Sequence, residues 1–110
     1  MAQNAKGSRR ERQLLEKLNK EGFVAHRIAG SGVGVDAICD LIAIKNGVPH
    51  FIEVKSRKKV YYPKEHTEQL KGMMDAAAGC GAKAMLAVKL NYKDWQFFDL
   101  HEEGIPVKVA

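Results

Sequence analysis

The sequence predicts an α/β fold, a single domain in which a central mixed five-stranded β-sheet is flanked by helices. Three observations carry this expectation. Asn46-Gly47 stands between two apolar, β-branched runs, which is the strongest short signal for a two-residue type I′ hairpin. Leu14, Leu15 and Leu18, and later Leu70, Met73, Met74 and Ala77, recur at helical spacing. The resulting order, α-β-β-β-α-β-β, suits a mixed sheet with helices laid against it. A length of 110 residues fits one domain with a core of its own and leaves no room for a second.

The elements follow from local chemistry. Ser8 and Glu11 form an S-x-x-E capping box, Gly22 stops the helical pattern, and the first helix is expected over Arg9 to Glu21. Residues 1–6 are expected to be flexible. Phe23 to Ile28 alternates as a short strand, and Ala29-Gly30-Ser31-Gly32-Val33-Gly34 is a loop that needs unusual backbone angles. In the hairpin, Ile42, Ile44 and Phe51 line one face and Leu41, Ala43, Ile52 and Val54 the other, so both faces are expected to be covered and the strands central. Arg57 to Pro63 is a basic loop carrying Tyr61 and Tyr62. Lys64 to Ala78 is the second helix, ending near Gly79 to Gly81. Met85 to Leu90 and Trp95 to Leu100 are the last strands, and Gly104 and Pro106 interrupt the tail from His101 to Ala110.

Charge narrows the class of partner. The formal net charge is +5, and the cations cluster: Lys6, Arg9, Arg10, Arg12, Lys17 and Lys20 near the start, then Lys55, Arg57, Lys58, Lys59 and Lys64 after the hairpin. Such clusters suit a polyanion, although a charge run alone is usually a solvated face. The first residues lack the apolar core of a signal peptide and no run is long enough to span a bilayer. With two widely spaced cysteines, Cys39 and Cys80, read as buried free thiols, a reducing cytoplasm is the expected setting. Gly30-Ser31-Gly32-Val33-Gly34 is neither GxGxxG nor a P-loop, so no nucleotide cofactor is expected. The four histidines show no metal-ligand spacing.

The hairpin arithmetic singles out three residues. If Lys45 and Val48 close the turn, Asp40 falls opposite Glu53, and Lys55 shares Glu53's face while Cys39 and Val54 point the other way. Facing like charges destabilise a sheet, so two carboxylates there call for a cation, and a divalent metal is the natural candidate. Mg²⁺ takes about six oxygens and keeps several waters, so two or three carboxylates plus a phosphate oxygen suffice. Glu11, in register with Leu14, Leu15 and Leu18, points inward and either closes the capping box or supplies a third carboxylate. Lys55 could stabilise negative charge on a reacting phosphate. Taken singly, each of these residues fits an ordinary strand-end salt bridge, and their shared face is what points to a site. Asp36 is a competing carboxylate, but only Asp40 stands in register with Glu53.

Asp40, then Glu53-Val54-Lys55 across a hairpin, resembles the D…(D/E)xK pattern of the metal-dependent PD-(D/E)xK nuclease superfamily, whose fold is restriction-endonuclease-like. Lys6-Gly7-Ser8 leading to Glu11-Arg12, Arg27 before Ala29-Gly30-Ser31-Gly32, and Ala87-Val88-Lys89 before the Trp95 strand resemble archaeal Holliday-junction resolvases (Hjc-type) over nearly the whole length. That resemblance implies a Mg²⁺-dependent homodimer, with Mn²⁺ as a substitute metal, that cuts four-way junction DNA symmetrically in recombination and repair, cytoplasmic and nucleoid-associated. It implies Glu11, Asp40 and Glu53 as metal ligands, Lys55 as the transition-state stabiliser and Ser31 as the loop serine at the cleavage site. Lys6, Arg9, Arg10, Arg12, Arg27, Ser31, Arg57, Lys58 and Lys59 become DNA contacts that fix position without reading bases. Tyr61 and Tyr62 either stack on unpaired bases or serve packing. The alternatives are a related nuclease with another DNA substrate, and a non-catalytic DNA-binding module.

Overall fold

The computed structural model describes residues 5–28, 38–101 and 104–110, the first four of these as backbone. Ser31 and Asp36 lie outside the described residues, as does the side chain of Lys6 and most of the expected flexible stretch at 1–6. Among the described residues the order is α1 (Ala5–Lys20), β1 (Val24–Arg27), β2 (Leu41–Lys45), β3 (Val48–Arg57), a 3-10 turn (Pro63–His66), α2 (Thr67–Cys80), β4 (Lys83–Leu90) and β5 (Gln96–Asp99). The strands form one sheet in the order β1-β2-β3-β4-β5. The β3–β4 pair is parallel and the other neighbours are antiparallel. The parallel pair needs a crossover, and α2 supplies it.

The hairpin has the expected register, with Lys45 opposite Val48 and Leu41 opposite Ile52. Asn46 and Gly47 both take positive φ, 53° and 77°, as a type I′ turn requires. Two cores then separate along the pleat. Leu41, Ala43, Ile52 and Val54 pack with Leu14 and Leu18 of α1, while Ile42 and Phe51 pack against the cluster of Leu70, Met73 and Ala77 of α2. Ile44 departs from the expected cover: it is 45% exposed, beside Val24 at 63%, on a part of the sheet away from β3 and β4, where α2 packs.

Two boundaries differ from the sequence reading. Helix α1 begins at Ala5, so Ser8 sits inside the helix and the capping-box reading of Ser8 and Glu11 fails. The second helical stretch opens as a 3-10 turn at Pro63, whose ring suits a first turn. The α-helix then closes on Gly81, left-handed at φ 77°, whose amide caps Ala77. The tail is pinned: Tyr61 and Val109 exchange two backbone hydrogen bonds at 2.9 and 2.8 Å, and both are buried. Cys39 is buried as expected, whereas Cys80 is exposed, and both are free. No helix among the described residues is long and apolar enough to cross a membrane.

Candidate active site

Strand β3 leaves the core at Glu53, which is 2% exposed. Its predecessor Ile52 belongs to the α1 core, so alternation turns Glu53 and Lys55 toward the α2 face. There the Lys55 ammonium stands 3.3 Å from Glu53 Oε2 and donates to Gln69 Oε1 of α2 at 3.1 Å. Glu53 Oε1 is buried and has no hydrogen-bond donor among the described residues.

Asp40 reaches the same place by a different route from the one the ladder arithmetic implies. Its amide donates to the Ile52 carbonyl at 3.1 Å, one position off the β2–β3 register, which is the offset of a β-bulge. Asp40 Oδ2 then accepts from the Val54 amide at 2.8 Å, so the carboxylate takes over where the ladder ends. The consequence is electrostatic. Burial first, then the charge of Asp40, push the Glu53 carboxyl from its ordinary 4.5 up to about 7, Lys55 opposes the rise, and a hydrogen bond shared with Asp40 favours the proton. Cys39, next along the chain, donates to the Leu41 carbonyl, and burial holds its thiol at about 11.

Glu11 comes from α1, which covers the opposite face. It pairs with Arg27 at 2.8 Å, and burial and then the charge of Asp40 raise its pKa against the pull of Arg27. Asp40 therefore couples to both other carboxylates from its place at the strand end. Among the described residues, no three carboxylate, histidine or cysteine side chains stand close enough together to hold one ion. Asp40, Glu53 and Lys55 are brought together; Glu11 feels the charge of Asp40 but is engaged with Arg27.

The cations divide as well. Arg9, Arg12, Lys58 and Lys59 are exposed and Arg10 partly so. Arg57 turns inward, 5.1 Å over the Tyr61 ring, with one guanidinium nitrogen donating to the Ser56 carbonyl. Tyr61 is 1% exposed and its hydroxyl meets His66 Nδ1 at 3.1 Å, so it serves packing, and of the two tyrosines only Tyr62 is open to solvent. Gln69 was missed by sequence reasoning, since nothing in a helical glutamine signals that it faces a strand lysine.

The orphaned Glu53 oxygen beside a second carboxylate is the donor chemistry a hard divalent cation takes. A carboxylate pair and an amine on a hairpin, inside a mixed sheet with a helix on each face, define the D…ExK nuclease class. Comparison with known proteins narrows it. A family profile described as "Archaeal holliday junction resolvase (hjc)" matches residues 2–108. Over 96 residues the chain is 44% identical to the crossover junction endodeoxyribonuclease Hjc of Archaeoglobus fulgidus, a match covering 86% of this chain and 68% of that protein. It is 38% identical over 106 residues to the Sulfolobus acidocaldarius protein of the same name, covering 93% and 71%. The solved structure of Archaeoglobus fulgidus Hjc, a Holliday junction resolvase from an archaeal hyperthermophile, matches with a TM-score of 0.73 at 38% identity, over 84% of this chain and 75% of that one. The chain belongs to the archaeal Holliday junction resolvase family.

Proposed function

We propose that this crossover junction endodeoxyribonuclease cuts four-way DNA junctions at the Asp40–Glu53–Lys55 site with a divalent metal, Mg²⁺ or Mn²⁺, as a homodimer. The observation that carries the reading is the buried Glu53 carboxylate, with one oxygen on Lys55 and the other reached by no donor among the described residues. Asp40 and Glu53 would hold the ion, with Glu11 joining from α1. A divalent ion bound there supplies Lewis acidity toward a phosphodiester oxygen and counter-charge for the leaving oxygen.

The protein's own groups do the remainder. Asp40, fixed by the Val54 amide, presents its second oxygen in a set direction. Glu53 gives up its proton near neutral pH and offers its free oxygen. Lys55, oriented by Gln69, places a positive charge where the pentacoordinate phosphorus develops negative charge. Arg9, Arg10, Arg12, Lys58 and Lys59 hold backbone phosphates, with Lys6, Arg27, Ser31 and Arg57 as further proposed contacts. Ser31 is the proposed loop serine near the scissile bond. One chain carries one site, and two matched cuts in a two-fold junction call for a two-fold pair.

The test is incubation of a synthetic four-way junction with the protein and Mg²⁺, beside a linear duplex of the same sequence. Paired nicks in the junction alone are expected, and Asp40→Asn should abolish them while junction binding persists. An intact junction at enzyme excess, or equal cutting of the duplex, would overturn the reading.

A further inference from the structure

The turn between β4 and β5 presents a tyrosine in a backbone conformation that the chain must be held into. Tyr92 has φ 65°, a left-handed angle costly for a bulky residue, where asparagine or glycine sits without strain. The turn is tied on three sides. The Asn91 amide donates to the Lys58 carbonyl at 3.1 Å, the Lys93 amide to the Leu90 carbonyl at 3.2 Å, and the Lys89 ammonium clasps the Leu90 and Lys93 carbonyls. None of this buries the ring, which is fully exposed. Backbone strain held in place to display an aromatic ring in water has no packing return.

Its surroundings name the chemistry. Tyr92 and Asn91 line one concavity with Arg9 and Arg10 and a second with Lys58, Lys59 and Lys93. Arg10 Nε is buried without a hydrogen-bond partner among the described residues, while its Nη1 is anchored on Gln13. An aromatic ring between two groups of cations is the pattern that takes a nucleobase with the phosphates on either side of it. The place fits. Arg9 and Arg10 adjoin Glu11 in α1, and Val88, paired with Lys55, is four residues from Tyr92, so the turn lies within about 15 Å of the site along the strand, roughly four nucleotide steps of a strand.

We propose that Tyr92 stacks on a base exposed at the junction branch point, with Arg9 and Arg10 on one side and Lys58, Lys59 and Lys93 on the other holding the adjoining phosphates. The inference rests on the resolvase reading and adds to it a residue that distinguishes branched from linear DNA. In a linear duplex each base already has neighbours above and below, so the ring gains little. At a branch point the terminal base pairs of the arms offer a free face.

The experiment measures binding of the full chain to a synthetic four-way junction and to a linear duplex, in EDTA so that neither is cut. Tyr92→Asn suits the backbone angle and removes the ring; Tyr92→Phe keeps it. Tyr92→Asn is expected to weaken junction binding by about 5- to 150-fold, the range of a lost base–aromatic stack, with duplex binding changed less than about 2-fold and Tyr92→Phe close to wild type. Equal losses on junction and duplex, or wild-type junction affinity in Tyr92→Asn, would overturn the proposal while leaving the resolvase reading intact if the wild type still cuts. Wild-type protein that neither binds nor cuts the junction would sink both.

Discussion

Glu53 links the proposed chemistry to a measurable cost in stability. Its pKa rises from 4.5 to about 7 on folding, so between these values the native state holds a proton that the unfolded state has released. Stability must then fall as pH rises through that window and level off above it. A shift of this size corresponds to roughly 3 kcal/mol. Glu53→Gln keeps the shape and removes the charge, though it also removes the ion-pair partner of Lys55, which keeps its hydrogen bond to Gln69. The variant is therefore expected to be about 1–3 kcal/mol more stable than wild type at pH 8 and close to it at pH 4.5, while losing junction cutting. Urea unfolding of both proteins in EDTA across pH 4.5 to 8 gives the difference directly. Added Mg²⁺ should narrow the gap at pH 8 by stabilising only the wild type. A gap that does not change with pH would refute the reasoning, since burial of an ionised carboxylate would then not be what raises the pKa.

Two further outcomes follow from the hairpin. Asp40→Ala leaves the Val54 amide without its acceptor and is expected to cost about 1–2 kcal/mol, whereas Asp40→Asn keeps an acceptor and should melt nearer to wild type; equal melting temperatures would show that the hydrogen bond contributes nothing. Gly47→Ala meets no atom within 4 Å but sits at φ 77°, so chemical unfolding should show a loss of about 1–2 kcal/mol from backbone strain alone, and a change under about 0.3 kcal/mol would mean that the turn relaxes.

Much of the fold was legible because its central signal is local. Asn46-Gly47 dictates its own turn, the turn dictates the register, and the register sorts Leu41, Ala43 and Ile52 from Ile42 and Phe51 onto two faces. That both faces are covered was legible too, since α1 and α2 carry one apolar stripe each, but which helix takes which face comes only from the structure. What failed depends on contacts distant in sequence. The bulge at Asp40 is a choice made where β2 meets both its neighbours, and no residue pattern announces it. Tyr61 was open between stacking and packing because it is buried in a cluster that includes Val109, 48 positions away by numbering. The Ser8–Glu11 pattern imitated a helix start that the chain passes through, because the residues before it continue the helix.

The same distinction explains the candidate site. Glu53 and Lys55 are fixed by one strand, so their meeting was readable from spacing; Glu11 comes from a helix on the other face, and only tertiary packing decides where it points. The structure sets it against Arg27, with the charge of Asp40 raising the pKa of both glutamates. Three carboxylates thus share two cations, Lys55 and Arg27, and the deficit falls on Glu53, the most buried of the three. A carboxyl in that position keeps its proton to a higher pH than a free one, and a positive charge brought close lowers that pH again. The proposed role follows from that placement: a divalent cation would relieve the repulsion among these acids, and the nearby arginines and lysines would bring in the DNA phosphate that completes its shell.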